Sequence, residues 1–417
     1  MDHKKVTNCR ACGYANLTRY LDLGSVPLCN NLDGSHKYPI EVLLCEDCYL
    51  SQLSVVVDPK ILYSNYYYHS SVSQTFRDHC YDLALKLKSE FKNSDYPLVV
   101  DIASNDGCLL KEFRRAGFER FLGFEPAKNL ASEPYGFREY VDEKTDDHPI
   151  PTVNAFFSND TAHRIKGDAI GGRASFVIAQ NVFAHVDDIK DFLMGVEWFL
   201  DDNGVFIVEV PHLANLIREN QFDTIYHEHL SYFLLRPLVR LFSESGLPIF
   251  RVEKLSIHGG SLRIYASKNA YPKESSVGEM LDSEEMGGYY DISTYISFGS
   301  KVDSVRTSLQ NTLLSLYNED KKVMGYGASA KGISLLNYCH IQNNLIHSIV
   351  DDTPDKQGKT TPGSRIPIVD FSHFENEKPD YILMLAWNFA PEMVCKVLKN
   401  TKLDPRFIIP IPEVKIF

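Results

Sequence analysis

The chain has 417 residues, 44% of them hydrophobic, with 55 acidic against 43 basic side chains and a formal net charge of −12. That much apolar material excludes a disordered polymer and leaves room for two to four domains at about 100–200 residues each. The acidic balance excludes sequence-independent binding to nucleic acid or anionic membrane; no apolar run approaches the roughly 18 residues of a membrane span, and the N-terminus lacks a signal-peptide core, so a cytoplasmic location is expected.

Residues 1–65 carry two Cys-x-x-Cys pairs, Cys9 with Cys12 and Cys45 with Cys48, separated by 32 residues. A thiolate pair two residues apart grips one metal from a tight turn, and two such pairs close a tetrahedral site. Four soft thiolates with no open position suit structural zinc. The other five cysteines are scattered and the total of nine is odd, which fits a reducing compartment better than disulfides. Short strands are expected over 42–44 and 53–57. A polar-aromatic cluster, Tyr66-Tyr67-Tyr68-His69-Ser70-Ser71, precedes a helix over 73–91.

From 98 to 262 strands alternate with helices, which predicts a parallel sheet with helices on both faces. Strands are expected over 98–103, 121–124, 175–179 and 205–210, with helices over 109–116 and 189–200. The first strand runs into the small turn Ala103-Ser104-Asn105-Asp106-Gly107, and the second ends in Glu125, placed to accept hydrogen bonds from ribose hydroxyls. There is no three-glycine fingerprint and no cation in the turn, while Asp101 and Asp106 would repel phosphate. A cofactor with ribose hydroxyls, an amino acid part and positive charge suits this turn, and S-adenosylmethionine has all three. After the 175–179 strand, Asn181 and His185 fall where residues line the ligand crevice of an open sheet.

The densest group is Tyr226-His227-Glu228-His229. It lacks the four-residue helical step of a zinc pair, and in an extended chain His227 and His229 would share one face with Tyr226 and Glu228 on the other. Titratable groups packed this closely shift one another toward neutrality, as proton transfer needs. Next, His258-Gly259-Gly260-Ser261 with Arg263 suits either an anionic ligand or a plain β-turn. A polar helical connector is expected over 273–319. A second α/β unit follows, with strands over 323–326, 345–350 and 382–385 and a helix over 331–338. Its glycine loop, Gly325 to Gly332, carries Lys331 and precedes Asp351-Asp352. Backbone amides and Lys331 could cradle a diphosphate there, or the glycines could serve strand–helix packing.

In this order the motifs resemble the bacterial deoxysugar C-methyltransferases, which act on nucleotide-linked 4-keto sugars. The resemblance covers the whole chain. Its carriers are the two cysteine pairs, Tyr66-x-Tyr68-x-Ser70-Ser71, Ser104 to Gly107, Asn181 to His185, Tyr226 to His229, His258 to Ser261, and Gly325 to Gly332. It implies an α/β protein of three parts: a zinc module over 1–65, a class I (Rossmann-like) methyltransferase domain over 66–300, and a Rossmann-like domain over 301–417 for the nucleotide sugar. A carbon has no lone pair, so C-methylation needs a neighbouring ketone to acidify the C3–H and spread charge as an enolate. The resemblance makes His229 the base, with Glu228 and Tyr226 tuning it or binding the sugar, and His185 with Tyr68 or Tyr66 holding the keto oxygen. It gives the cofactor to Asp101, Ala103, Asn105, Gly107, Glu125 and Asn181. It gives the diphosphate to His258, Gly259, Gly260, Ser261, Arg263 and Lys331. The family usually has glycine where this chain has Ala103. An O- or N-methyltransferase would need the same cofactor without an enolate, and an NAD-dependent sugar-nucleotide oxidoreductase would use the C-terminal glycine loop instead. The expected partner is the nucleotide sugar, without nucleic acid or membrane, for a monomer or weak oligomer.

Overall fold

A computed structural model of the protein describes residues 2–32, 34–63, 66, 69–91, 94–130, 150–165, 172–268 and 271–417, with the side chain of His258 outside that set. Strands are numbered in chain order. The N-terminal module pairs β1 (His3–Lys5) with β5 (Val55–Val57). Beside them lies a four-stranded sheet of β2 (Leu17–Pro27), β3 (Lys37–Cys45), β4 (Ser51–Leu53) and β11 (Ser231–Tyr232), in the order β11-β4-β3-β2. The last of these comes from the far side of the sequence: Ser231 pairs with Gln52 and Tyr232 with Ser51. The short strands expected here understate β2, which runs eleven residues and turns from face to face through bulges against β3.

The central sheet has seven strands: β6 (Leu98–Ile102), β7 (Arg120–Phe124), β8 (Thr152–Val153), β9 (Ala174–Gln180), β10 (Leu200–Pro211), β12 (Ile249–Leu255) and β13 (Ser261–Ala266). Their order, β8-β7-β6-β9-β10-β13-β12, is the class I methyltransferase arrangement, and it reverses direction of addition between β6 and β9. That reversal opens a crevice beyond the carboxyl ends of the two strands. β6 is buried along its whole length, which is why its sequence reads as a continuous apolar run interrupted only by Asp101. The helix Gln74–Glu90 packs on this sheet, capped by the Ser73 hydroxyl on the Phe76 amide. The sheet is not wholly parallel, as alternation alone predicts. β13 runs antiparallel to both β10 and β12 because a tight turn joins β12 to β13.

The third sheet, β16 (Ile368–Val369), β15 (Ile349–Val350), β14 (Val323–Tyr326), β17 (Tyr381–Met384), β18 (Arg406–Ile409) and β19 (Lys415–Ile416), is parallel except at β19. The expected strand over 345–350 forms only at Ile349 and Val350. Residues 273–319 are more than a polar connector. The helix Ser275–Met286 buries Glu284, and the helix Ile292–Asn318 buries Tyr295, Phe298, Val302, Val305, Leu309, Leu313 and Leu316. One apolar cluster takes in Val42 and Leu44 of the first module, Phe222, Ile225 and Leu230 of the histidine-rich segment, Leu309 of that helix, and Ile333 and Leu336 of the third unit. The histidine-rich segment is therefore clamped where all three parts meet. No helix among the described residues is long and apolar enough to cross a membrane.

Candidate functional site

Two matching turns build the cysteine centre. Gly13 N–H donates to the Cys9 carbonyl and Tyr49 N–H to the Cys45 carbonyl, each at 2.9 Å, with φ of +78° and +64° respectively. The four sulfurs lie within 4.8 Å of one another, and Cys9–Cys48 and Cys12–Cys45 Sγ pairs are 3.5 Å apart. Tetrahedral Zn–S bonds of about 2.3 Å require sulfurs about 3.8 Å apart, so the four thiols fit zinc and leave no open ligand position.

At the β6–β9 crevice, Ala103, Asn105 and Gly107 all have positive φ, at +60°, +54° and +76°. The Asn105 amide donates to Glu125 Oε2 at 2.8 Å and the Ala127 amide to Oε1 at 2.7 Å. Each carboxylate oxygen keeps a further lone pair, which suits two ribose hydroxyls. Burial raises Glu125 against those two amides. Burial, with Cys108 and Glu125 adding, holds Asp101 well above the usual carboxylate range. Asn181, at φ +55° just past β9, hangs its amide on the Glu209 carbonyl at 3.0 Å. These acidic acceptors fit S-adenosylmethionine, with the Lys111 ammonium turned onto the Asp106 carbonyl at 2.7 Å. The left-handed Ala103 costs about 1–2 kcal/mol in a position glycine tolerates, part of which glycine's own entropy offsets. Ala103→Gly is therefore expected to raise the free energy of urea unfolding by about 0.5–1 kcal/mol. An unchanged midpoint would mean that the turn is not strained.

Beyond this crevice the candidate catalytic groups converge. Residues 226–229 form a turn, not a strand, closed by the His229 amide on the Tyr226 carbonyl at 2.9 Å. The extended chain that would let His227 and His229 share a face is absent here: His227 turns away, its Nε2 3.1 Å from the Tyr38 carbonyl, with burial pulling its pKa down to about 4. Tyr226, Glu228 and His229 come together instead. His229 Nδ1 lies 2.7 Å from the Thr224 carbonyl. A carbonyl only accepts, so Nδ1 carries a hydrogen, and in the neutral form of such a ring Nε2 is the accepting nitrogen. The Tyr226 hydroxyl, 3.2 Å away, donates to that Nε2, and the two ring centres are 4.3 Å apart. The His185 ring stands edge-on to His229 at 4.9 Å. Burial, with His229 adding, pushes the His185 pKa well below its ordinary value, so it is neutral at pH 7.

Glu228 is 3% exposed. Its Oε1 accepts from Asn30 Nδ2 at 2.6 Å and its Oε2 from the Tyr66 hydroxyl at 2.9 Å. Burial raises it to about 7 against those two donors. Tyr63, Tyr66 and Tyr226 are pushed well above 10, by burial first and then by Glu228, and stay protonated. Tyr66 also exchanges backbone hydrogen bonds with the Asn129 side chain, and Ser70 and Ser71 bond Asn105 and Asp106, so the 66–71 segment ties the cofactor turn to the carboxylate. Tyr68 lies outside the described residues. Tyr63, 2.9 Å from His185 Nδ1, and Asn30 were not legible as site residues. Tyr63 could have been suspected from its place three residues ahead of Tyr66, whereas Asn30 gives no signal.

The remaining candidates divide. Gly259 and Gly260, at φ +89° and +105°, make the β12–β13 turn. A Cβ on Gly260 would lie 1.9 Å from Asn215 Nδ2, and the Ser261 hydroxyl bonds the Ile257 carbonyl. That is the plain turn, packed on 215 and 221. Arg263 is not free for an anion: its Nε donates to Glu209 Oε1 at 2.6 Å, and its NH2 lies 3.2 Å from His79 Nε2, which meets Glu209 Oε2 at 2.8 Å. Lys331 is different. Its ammonium is out of solvent with no hydrogen-bond partner among the described residues, 5.7 Å from the Trp387 ring centre. Burial lowers its pKa, and Asp223 opposes the shift. Asp223 accepts from Trp387 Nε1 at 2.6 Å, and Ser334 donates to the Ile225 carbonyl at 3.0 Å, so the third unit abuts the segment leading into the 226–229 turn. Gly325 and Gly332 do serve close packing, against Ile349 and Leu385. Asp351, just past β15, is spent on the Ala328 amide of the glycine loop at 2.7 Å.

Three family models match in series: a zinc binding domain over residues 9–63, a methyltransferase domain over 75–252, and a C-methyltransferase C-terminal domain over 256–412. The C-methyltransferase NovU of Streptomyces niveus is 35% identical over 422 residues, spanning 99% of this chain and 97% of its own. Among solved structures, the magnesium protoporphyrin IX methyltransferase of Synechocystis, with S-adenosylmethionine bound, is 14% identical and covers 46% of this chain and 78% of its own at a TM-score of 0.32. The 1,6-didemethyltoxoflavin-N1-methyltransferase of Burkholderia thailandensis is 12% identical, covering 46% and 76% at a TM-score of 0.31.

Proposed function

We propose that this chain, which belongs to the S-adenosylmethionine-dependent C-methyltransferases with an N-terminal zinc domain, methylates C3 of a nucleotide-linked 4-keto-deoxysugar through an enolate. The observation that carries the reading is an imidazole paired with a phenol: His229 Nε2 and the Tyr226 hydroxyl, 3.2 Å apart. Enolisation needs those two functions side by side, one to take the C3 proton and one to donate to the adjacent C4 oxygen. The Thr224 carbonyl fixes the tautomer that makes Nε2 the base. S-adenosylmethionine, when bound in the β6–β9 crevice, supplies the electrophilic methyl that the C3 carbanion takes up.

Every other part is held by this chain's residues. His185 sits on the loop that leaves β9, at the mouth of the cofactor crevice, and brings that crevice within one ring of the base. Tyr66 and Asn30 hold Glu228, whose charge balances the imidazolium as it forms. Lys331, whose ammonium has no hydrogen-bond partner among the described residues, stands at the start of the helix Ala330–Tyr338 and meets the diphosphate, aided by amides at that helix N-terminus. The cysteine centre lies outside the proton path, as a closed structural ion should.

Solvent exchange tests the enolate directly. In D2O with a nucleotide-linked 4-keto-deoxysugar and no cofactor, the protein should wash one deuterium into C3, and added S-adenosylmethionine should place a methyl on that carbon. No exchange, with the methyl found on oxygen or nitrogen, would overturn the reading.

A further inference from the structure

Between its first two metal ligands the chain places Arg10, whose side chain is 4% exposed. Its guanidinium reaches three acceptors: Nε donates to Asp187 Oδ1 at 3.2 Å, NH1 to the Leu230 carbonyl at 2.8 Å and NH2 to the Leu53 carbonyl at 3.4 Å. Its backbone amide donates to Gln52 Oε1 at 2.9 Å, and Gln52 Nε2 returns to the Asn8 carbonyl at 3.1 Å. Leu230 directly follows His229, and its own amide donates to the Ala184 carbonyl at 2.8 Å. Ala184 precedes His185, and Asp187 lies two residues after it. Lys4 holds the other oxygen of Asp187 at 2.5 Å.

One buried cation thus joins the cysteine turn to both loops that carry the imidazoles. We infer that Arg10 is a positioning residue for the methyl-transfer reaction: seated by the metal centre, it fixes His185 and His229 at their edge-on separation of 4.9 Å. A planar guanidinium aims five N–H donors in a fixed fork at acceptors from three segments, whereas an ammonium offers three from a single point. The centre then does more than hold its own module together, because its geometry passes through one side chain to the base. This rests on the roles proposed above for His229 and His185.

The test compares Arg10→Ala, Arg10→Lys and Asp187→Asn in the zinc-loaded full chain. Arg10→Ala should keep one zinc per chain and wild-type cofactor affinity while kcat falls 10–100-fold with KM within about twofold, the range expected when a base is slightly misplaced. Added guanidinium should restore part of that loss, Arg10→Lys should restore little, and Asp187→Asn should lose about three- to tenfold. In 15N-histidine spectra, assigned with His229→Gln and His185→Gln, the His185 and His229 signals should move in Arg10→Ala while those of His163 and His347 stay. Unmoved histidine signals in soluble, zinc-replete Arg10→Ala or Asp187→Asn, or wild-type turnover in Arg10→Ala, would overturn the inference. The spectra need no substrate, so an acceptor other than a keto sugar would sink the functional reading and leave this result standing.

Discussion

His229→Ala is expected to bind S-adenosylmethionine as the wild type does and to turn over at least about a hundredfold more slowly, within the range of general-base removal. Cofactor affinity should hold because the residues fitted to it, Asp101, Asn105, Glu125 and Asn181, belong to β6, β7 and β9 and the turns that follow them, while His229 hangs from the separate turn at 226–229. C3 deuterium exchange should vanish with turnover, since both begin with the same proton. His229→Gln refines the result: an amide can still meet the Thr224 carbonyl and the Tyr226 hydroxyl, but it cannot take a proton, so it should be as slow as alanine. Normal exchange in either variant would remove His229 from the proton path and leave His185, 4.9 Å away, as the group to test.

The residues of the site were far more legible than their geometry. The cysteine pairs could be read outright, because metal geometry acts over two-residue steps and is written locally. The crevice was legible for a similar reason: β6, its turn and β7 are consecutive, and their acidic ends identify the chemistry of the ligand. The turn at 226–229 was not legible, because nothing local says that the chain bends there. The bend is set by Leu230 and β11, which are drawn into the zinc module's sheet beside Leu53 and Gln52. Asn30 was invisible for the same reason, since its partner Glu228 lies 198 residues away. Arg263 shows the opposite error. Read alone beside two glycines it looked like an anion ligand, but antiparallel register sets it opposite Glu209, and two buried opposite charges on neighbouring strands satisfy each other. A sheet expected to be wholly parallel could not have revealed that pairing.

Glu228→Gln is expected to trade activity for stability in a pH-dependent way. The fold raises the Glu228 carboxyl from 4.5 to about 7, chiefly by burial. A carboxyl raised on folding favours the folded state in its neutral form. That contribution is complete below about 4.5, is lost as the pH climbs to about 7, and stays lost above. Glutamine has no charge to bury and keeps an oxygen for Asn30. Unfolding free energies of variant and wild type should therefore approach one another near pH 5, whereas at pH 8 the variant should be the more stable by up to about 3 kcal/mol. Turnover should move the other way, falling tenfold or more at pH 8, if Glu228 has the proposed role of balancing an imidazolium on His229. Equal stabilities at pH 8 would show that solvent or an unrecognised donor already satisfies Glu228. Greater stability with unchanged turnover would place the carboxylate outside the chemistry and leave it as an anchor for Tyr66.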